Sequence, residues 1–317
     1  MHYHHLPAMP SEVIDYLNCR PGRTYADCTL GGAGHAIRIC EKIGPEGTLI
    51  GIDQDLAAVE NAITALKRCS ANVHVVHDNF VNLPDILARL RIPAVDGMLL
   101  DLGLSLHQIE ASGRGFSFNR DEPLDMRMNA ASGETAAQIV THASEAQLAK
   151  IFTEYGEERW ARSIARKIAA VRRKETIRSS RQLARIVTEA LPGKARYDHR
   201  IHPATRVFMA LRIAVNRELE RLEEFLAQAV DYLNPGGRLC VLSFHSLEDR
   251  IVKQRFVALS RGCTCPPGFP LCVCSHRPVA RILTRKVVRP RAEEVDANPM
   301  ARSTRLRVLE KLAPEGA

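Results

Sequence analysis

The sequence predicts an α/β fold: a parallel sheet with helices on both faces and a helical block inserted after the fourth strand. Three observations predict it. Apolar strands alternate with helical segments from residue 24 to 103, the pattern of a sheet covered on both sides. The alternation stops after Leu104-Ser105 and resumes near residue 207. Acids stand where several strands end, and ligands bind beyond the carboxyl ends of such strands. The expected division is residues 1–105, an inserted helical domain at 106–206, and a second sheet portion at 207–317.

The first strand, Thr24 to Leu30, runs into glycines at 31, 32 and 34, with a helix expected from His35 to Ile43. Glycine permits positive φ and a close approach of ligand to backbone, and the helix start behind the turn offers free N–H groups. The second strand, Gly47 to Asp55, carries Asp53, which stands 22 positions after Gly31. That offset is near the one at which an acid reaches a ribose hydroxyl in nucleotide-binding βαβ units. The dinucleotide fingerprint itself fails: with Gly32 and Gly34 as its first two glycines, the last slot falls on Ile37. Asp27 before the turn and Asp53 after the next strand suit S-adenosylmethionine better than NAD. A tight turn holding no ligand is the plain alternative.

A helix is expected over Leu56 to Cys69, a third strand over Asn72 to Phe80, a helix over Leu83 to Leu90 and a fourth strand over Val95 to Gly103. Asp53, Asp78 to Phe80 and Asp101 then converge at strand ends, with Phe80 a candidate either to stack on an adenine or to pack in the core.

In the insertion, Glu157 to Arg178 reads as a basic amphipathic helix. Trp160, Ile164, Ile168 and Val171 form its apolar stripe, and Arg159, Arg162, Arg166, Lys167, Arg172, Arg173, Lys174 and Arg178 are its bases. Such a face suits a membrane surface or nucleic acid, or is simply solvated. His199 and His202 are three apart but have few acids or cysteines nearby, which argues against a metal there. A long helix is expected from Ala204 to Leu233, ended by Asn234-Pro-Gly-Gly237; strands follow at 238–244, 281–288 and 304–309, making seven.

Cys263, Cys265, Cys272 and Cys274 are spaced to hold one tetrahedral zinc ion as a structural tetrathiolate, with unmetallated thiols the alternative. The other five cysteines, at 19, 28, 40, 69 and 240, read as reduced thiols packed singly in the core. The 317 residues are 45% apolar, with no run of about 18 apolar residues to cross a membrane and no apolar leader, so a cytoplasmic, membrane-free protein is expected. A net charge of +8, rich in arginine, favours a phosphate-bearing partner.

Several stretches together resemble one family. Asp27-Cys-Thr-Leu-Gly-Gly-Ala-Gly-His35, Asp101-Leu-Gly-Leu-Ser105, His202-Pro-Ala-Thr-Arg206 with Ala210-Leu-Arg-Ile-Ala-Val-Asn216, Ser243-Phe-His-Ser-Leu-Glu-Asp-Arg-Ile-Val252, and the segments around Val288-Arg-Pro and Asn298-Pro-Met-Ala-Arg302 look like the bacterial small-subunit ribosomal RNA cytosine-N4 methyltransferases, the RsmH or MraW family. The resemblance implies a class I S-adenosylmethionine-dependent methyltransferase fold, a seven-stranded Rossmann-like sheet with an inserted helical domain. It implies a cytidine in the decoding region of 16S ribosomal RNA as substrate, within the small subunit, and S-adenosylmethionine as donor. Carried over by motif, cofactor contacts fall on Ala33, Gly34, His35, Asp53, Phe80, Asp101 and Gln108. Alanine at 33, where relatives often have glycine, is mild only if its φ is negative. The oligomeric state, homodimer included, is not legible.

The cytosine amine is a poor nucleophile because its lone pair is delocalised, so a catalyst must align it and accept its hydrogen bond. Asp101, Ser243 and His245 are the catalytic candidates, with Ser105 a further polar group near a strand end. The target base must leave its stack, and the basic insertion would grip phosphates. Two other classes stay in view. An NAD-dependent oxidoreductase would use the same sheet, against the failed fingerprint. A noncatalytic RNA-binding protein would explain the charge but not the converging acids.

Overall fold

The computed structural model describes residues 7–193, 202–263, 265, 271, 273, 274 and 276–314. The chain divides into a sheet unit, Met1–Gly103 with Leu219–Ala317, and a helical unit, Leu104–Glu218. The expected boundary at 206 falls inside a helix of the second unit.

The sheet unit opens with α1 (Pro10–Leu17), then alternates β1 (Thr24–Asp27), α2 (Gly34–Ile43), β2 (Thr48–Asp53), α3 (Leu56–Ala65), β3 (Asn72–His77), α4 (Leu83–Leu90) and β4 (Val95–Asp101). The helical unit holds α5 (Leu106–Glu110), α6 (Ala136–His142), α7 (Glu145–Glu154), α8 (Ala161–Val171), α9 (Ser180–Ala190) and α10 (Ala204–Asn216). After α11 (Glu218–Gln228) come β5 (Leu233–Ser243), α12 (Ser246–Ser260), β6 (Ala280–Ile282), α13 (Ala292–Ala297) and β7 (Arg305–Lys311).

The sheet has the order β3-β2-β1-β4-β5-β7-β6, with the first five strands parallel and β7 antiparallel to both β5 and β6. Sequence order therefore reverses between β1 and β4, the switch point at which open α/β sheets bind ligands. One face packs Ile50, Ile52, Met98, Leu100 and Val241 under α4, α11 and α12; the other packs Tyr25, Leu49, Leu99 and Cys240 under α1 and α2. The helical unit has its own core, with Phe152, Ile164, Ile168, Leu183, Val187 and Leu211 fully buried.

Four expectations need correction. The long helix predicted from Ala204 breaks at Arg217, whose φ of 51° is left-handed and whose N–H closes on the carbonyls of Ala214 and Ile213. Asn216 fixes the end by giving its amide to the Met126 and Arg212 carbonyls and receiving the Met128 N–H. Asn234-Pro-Gly-Gly237 does not end a helix but lies inside β5. Leu233 already pairs with Val95, and the register shift between Val95 and Gly97 absorbs the proline, with Gly236 at φ +79°. The sixth strand is short, Ala280–Ile282, and Val288 makes only an isolated bridge to Leu306. Cys40 and Cys69 are not separate thiols: the end of α2 and the turn before β3 bring their Cα atoms within 5.9 Å, and a disulfide joins them. Burial pushes the thiols of Cys19, Cys28 and Cys240 up, Cys19 to about 12, so those three are inert packing groups.

The basic helix is α8. Ile164 and Ile168 are buried as the stripe requires, while Arg166 pairs with Glu145, Lys167 with Glu189, and Arg172 donates to the carbonyls of Val140 and Ala143. Among the described residues no helix is long and apolar enough to cross a membrane.

Candidate cofactor site at the ends of β1, β2 and β4

Parallel pairing of β1 with β2 and β4 sets three acids at one rim of the sheet unit: Asp27, Asp53 and Asp101. The turn between β1 and α2 lies among them. Its Gly31 has φ 46° and its Ala33, fully buried and capping α2, has φ 61°. The alanine at 33 thus sits in the left-handed region that glycine favours, at a strain of about 1–2 kcal/mol. Gly34 is constrained from outside: a Cβ there would lie 2.9 Å from the Pro7 ring.

Asp53 is tied into this turn. Its Oδ2 accepts the Gly31 N–H at 2.8 Å and its Oδ1 the Asp55 N–H at 2.8 Å. Burial pushes its carboxyl up to about 6, against the pull of those two bonds. Each oxygen keeps a second lone pair for a ribose hydroxyl. Asp27, 1% exposed, accepts the Thr29 N–H at 3.2 Å. Burial pushes it up to about 7; His35 opposes the rise, and Asp101 and Asp53 add to it. Asp101 is aimed by Thr29, whose Oγ1 accepts the Asp101 N–H at 2.6 Å. The Nε2 of His35, on the first turn of α2, lies 3.6 Å from Asp101 Oδ2.

Four buried polar atoms here meet no hydrogen-bond partner among the described residues: Asp27 Oδ2, Asp101 Oδ1, and both ring nitrogens of His35. Unpaired buried polar groups cost roughly 1–3 kcal/mol each, so their concentration in one place marks a binding site. The set, rich in carboxylate acceptors beside a strained turn, fits a ligand bearing hydroxyl and ammonium donors, as the methionyl nucleoside does.

The remaining candidates divide. Phe80 is 9% exposed and packs edge-on against Phe225, ring centres 5.4 Å apart. Ser243, 1% exposed at the end of β5, donates to the Arg305 carbonyl at 3.4 Å. His245 caps α12: its Nδ1 accepts the Glu248 N–H at 3.5 Å and its Nε2 lies 3.0 Å from Glu248 Oε1. Gln108 and Ser105 belong to the helical unit, where they form a capping box at the start of α5. His202 Nδ1 receives the Ala204 N–H and its ring stacks on Phe118, while His199 lies outside the described residues.

Sequence reasoning missed three participants. Thr29 carries no motif signal. Glu248, 2% exposed, accepts the N–H groups of Phe244 and His245 with one oxygen, and a capping-box spacing from His245 was its only trace. Gln54 Oε1, beside Asp53, receives Asn79 Nδ2 at 2.8 Å and Arg221 Nη1 at 2.7 Å.

Away from this rim, the Sγ atoms of Cys263, Cys265 and Cys274 lie within 4.8 Å of one another, Cys263 and Cys274 at 3.7 Å. Cys272 lies outside the described residues.

Comparison with known proteins adds a second line. Residues 2–312 match the model of the MraW methylase family. The ribosomal RNA small subunit methyltransferase H of Desulfosudis oleivorans is 57% identical, covering 98% of this chain and 100% of that one. Its counterpart in Desulforapulum autotrophicum is 55% identical over 97% and 99% of the two chains. Among solved structures, an rRNA methylase from Streptococcus thermophilus aligns over 96% of this chain and 94% of its own, at 9% identity and a TM-score of 0.41.

Proposed function

The chain belongs to the MraW methylase family, and on that premise we propose that it methylates the N4 amine of a cytidine in the decoding region of 16S ribosomal RNA. S-adenosylmethionine, when bound, supplies an electrophilic methyl group on a sulfonium. The observation that carries the reading is the cluster of Asp27, Asp53, Asp101 and His35 around the β1–α2 turn, with buried acceptor atoms of Asp27 and Asp101 left to spare.

In this reading Asp53 and Asp27 accept from the donor's hydroxyl and ammonium groups, and Ala33, Gly34 and His35 form the wall it lies against. Phe80 and Gln108 are further cofactor contacts. Asp101 is the acceptor for the amine: its backbone is fixed by Thr29 and its Oδ1 is unpaired. An oriented carboxylate there draws the N4 lone pair out of conjugation as the N–H bond weakens. Ser243 and His245 support the loop beyond β5 that faces the base. Exposed Arg162, Arg173, Lys174, Arg178 and Arg181 of the helical unit contact RNA phosphates. The protein works in the cytoplasm on small subunits, singly or as a homodimer.

The cysteine cluster is read as a structural zinc site. Tetrahedral zinc with bonds of about 2.3 Å separates its sulfurs by about 3.8 Å, near the 3.7 Å between Cys263 and Cys274. Native mass spectrometry should find one zinc per chain, lost in Cys263→Ser; a metal-free chain bridged from Cys263 to Cys274 would dispose of the site.

The functional test is to incubate the protein with labelled donor and either free 16S RNA or isolated small subunits, then map the product. Label on a decoding-region cytidine N4 is expected. Label elsewhere, or none with either substrate, overturns the proposal.

A further inference from the structure

The sheet unit is electrically lopsided. Between Asp249 and Glu293 the chain carries ten lysines and arginines and no acid, while the rest of that unit holds 14 bases against 23 acids. The segment comprises α12 beyond its first turn, the cysteine loop and β6 with its flanks. A groove of about 450 Å³ lies between α12 and the edge strand β6.

The groove is built in two tiers. Phe256 and Ala280 are buried beneath it, and the apolar surface it offers comes from Val257, 39% exposed, exposed Pro278 and part-exposed Ile282. Lys253 and Arg285 stand exposed on opposite walls and make no ion pair among the described residues. The other two bases of the lining are committed. Arg281 pairs with Glu310 at 2.7 Å, and Arg307 grips Asp249 at 2.6 and 3.1 Å. Arg261, Lys286 and Arg289 are exposed on the same acid-free segment. Clustering like charges around a groove raises self-repulsion, which a polyanion relieves.

We propose that this α12–β6 groove is a second grip for the RNA substrate, holding its sugar–phosphate backbone on the sheet unit independently of sequence. The proposal rests on the ribosomal RNA reading above. Phosphates sit between Lys253 and Arg285, and riboses lie against Val257 and Pro278, the combination of positive walls and apolar surface that single-stranded RNA sites use. The grip is remote from Asp27, Asp53 and Asp101 in the sheet order, because β6 is the edge strand and β1 and β4 are central. It therefore acts on affinity and leaves donor binding alone.

The test is the double variant Lys253→Ala/Arg285→Ala in the full chain, compared with its parent. Affinity for free 16S RNA should fall on the order of tenfold at physiological salt, and the slope of log affinity against log salt should shrink by about 1.4, two phosphate contacts' worth for a single strand. Calorimetric affinity for S-adenosylhomocysteine and the melting temperature should match the parent's, which separates a lost contact from a lost fold. Equal RNA affinity and equal salt slope in variant and parent would overturn the groove while leaving the methyltransferase reading intact. A loss confined to assembled subunits, absent on free RNA, would assign the groove to a protein and also overturn the proposal. A parent that binds no small-subunit RNA would sink the ribosomal reading, and the groove with it.

Discussion

The Asp53 carboxylate accepts the Gly31 N–H at 2.8 Å, so the acid that ends β2 also fixes the turn that follows β1. Substrate-site chemistry and local backbone geometry are therefore one variable. Asp53→Ala leaves two part-buried backbone amides without their acceptor and should cost roughly 1–3 kcal/mol of stability. It should also abolish measurable S-adenosylhomocysteine binding, whereas Asp53→Asn, which keeps one acceptor and sets its NH2 against the other backbone N–H, should lose roughly half as much stability. Differential scanning calorimetry with and without the nucleoside separates the two effects.

Asp27 and Asp53 make donor binding pH-dependent. Their carboxyls are raised to about 7 and about 6 in the fold, above the ordinary value of 3.8. The sign follows from linkage: a raised acid favours folding below its unfolded value, and that contribution is lost as pH climbs through the folded value. The apo protein should lose stability between about pH 4 and 7 from these groups. Asp27→Asn should then melt higher than the parent at pH 8 and no higher at pH 4. Donor affinity should run the other way, rising from pH 5 to 8 as the acceptors ionise; a flat titration by calorimetry would contradict the assignment.

Ala33 offers a test of strain. With φ at 61° and the side chain fully buried, Ala33→Gly should raise stability by up to about 1 kcal/mol, the relief of left-handed strain less glycine's unfolded entropy. Ala33→Val should destabilise strongly and weaken nucleoside binding. Thermal melts of the two variants should move in opposite directions.

For the chemistry, Asp101→Asn should lower turnover by on the order of 10²–10⁴ at saturating donor and RNA, with donor affinity within a few fold of the parent. Single-turnover methylation measured beside calorimetry distinguishes a lost acceptor from a lost donor site. Glu248→Ala should instead act through structure: it strips the acceptor from the part-buried Phe244 N–H and the α12 cap, costing roughly 1–3 kcal/mol.

Much of this was readable in the chain. The βα alternation from Thr24 to Asp101 announced the first four strands because parallel strands are written as apolar runs ending in polar residues. The same pattern set Asp53 and Asp101 at the ends of their strands. What escaped was set by tertiary context. Arg217 takes a left-handed turn without the glycine that would announce it. Pro235 sits inside β5 because a bulge opposite Val95 and Gly97 makes room for it. Cys40 and Cys69 are 29 positions apart, and nothing local couples the end of α2 to the turn before β3. Glu248 and Thr29 act through backbone amides that only the folded rim brings within reach.

The sheet order carries a consequence for biosynthesis. Strand β7 lies between β5 and β6, although β6 is made first. Until Arg305–Lys311 has emerged from the translating machinery, the flank of β5 is bare and β6 has nothing to pair with. A nascent chain paused in that interval displays an unsealed strand and the apolar side of α12, a natural target for chaperones. The closing stitch of the sheet is thus also the step that commits the molecule to its mature form.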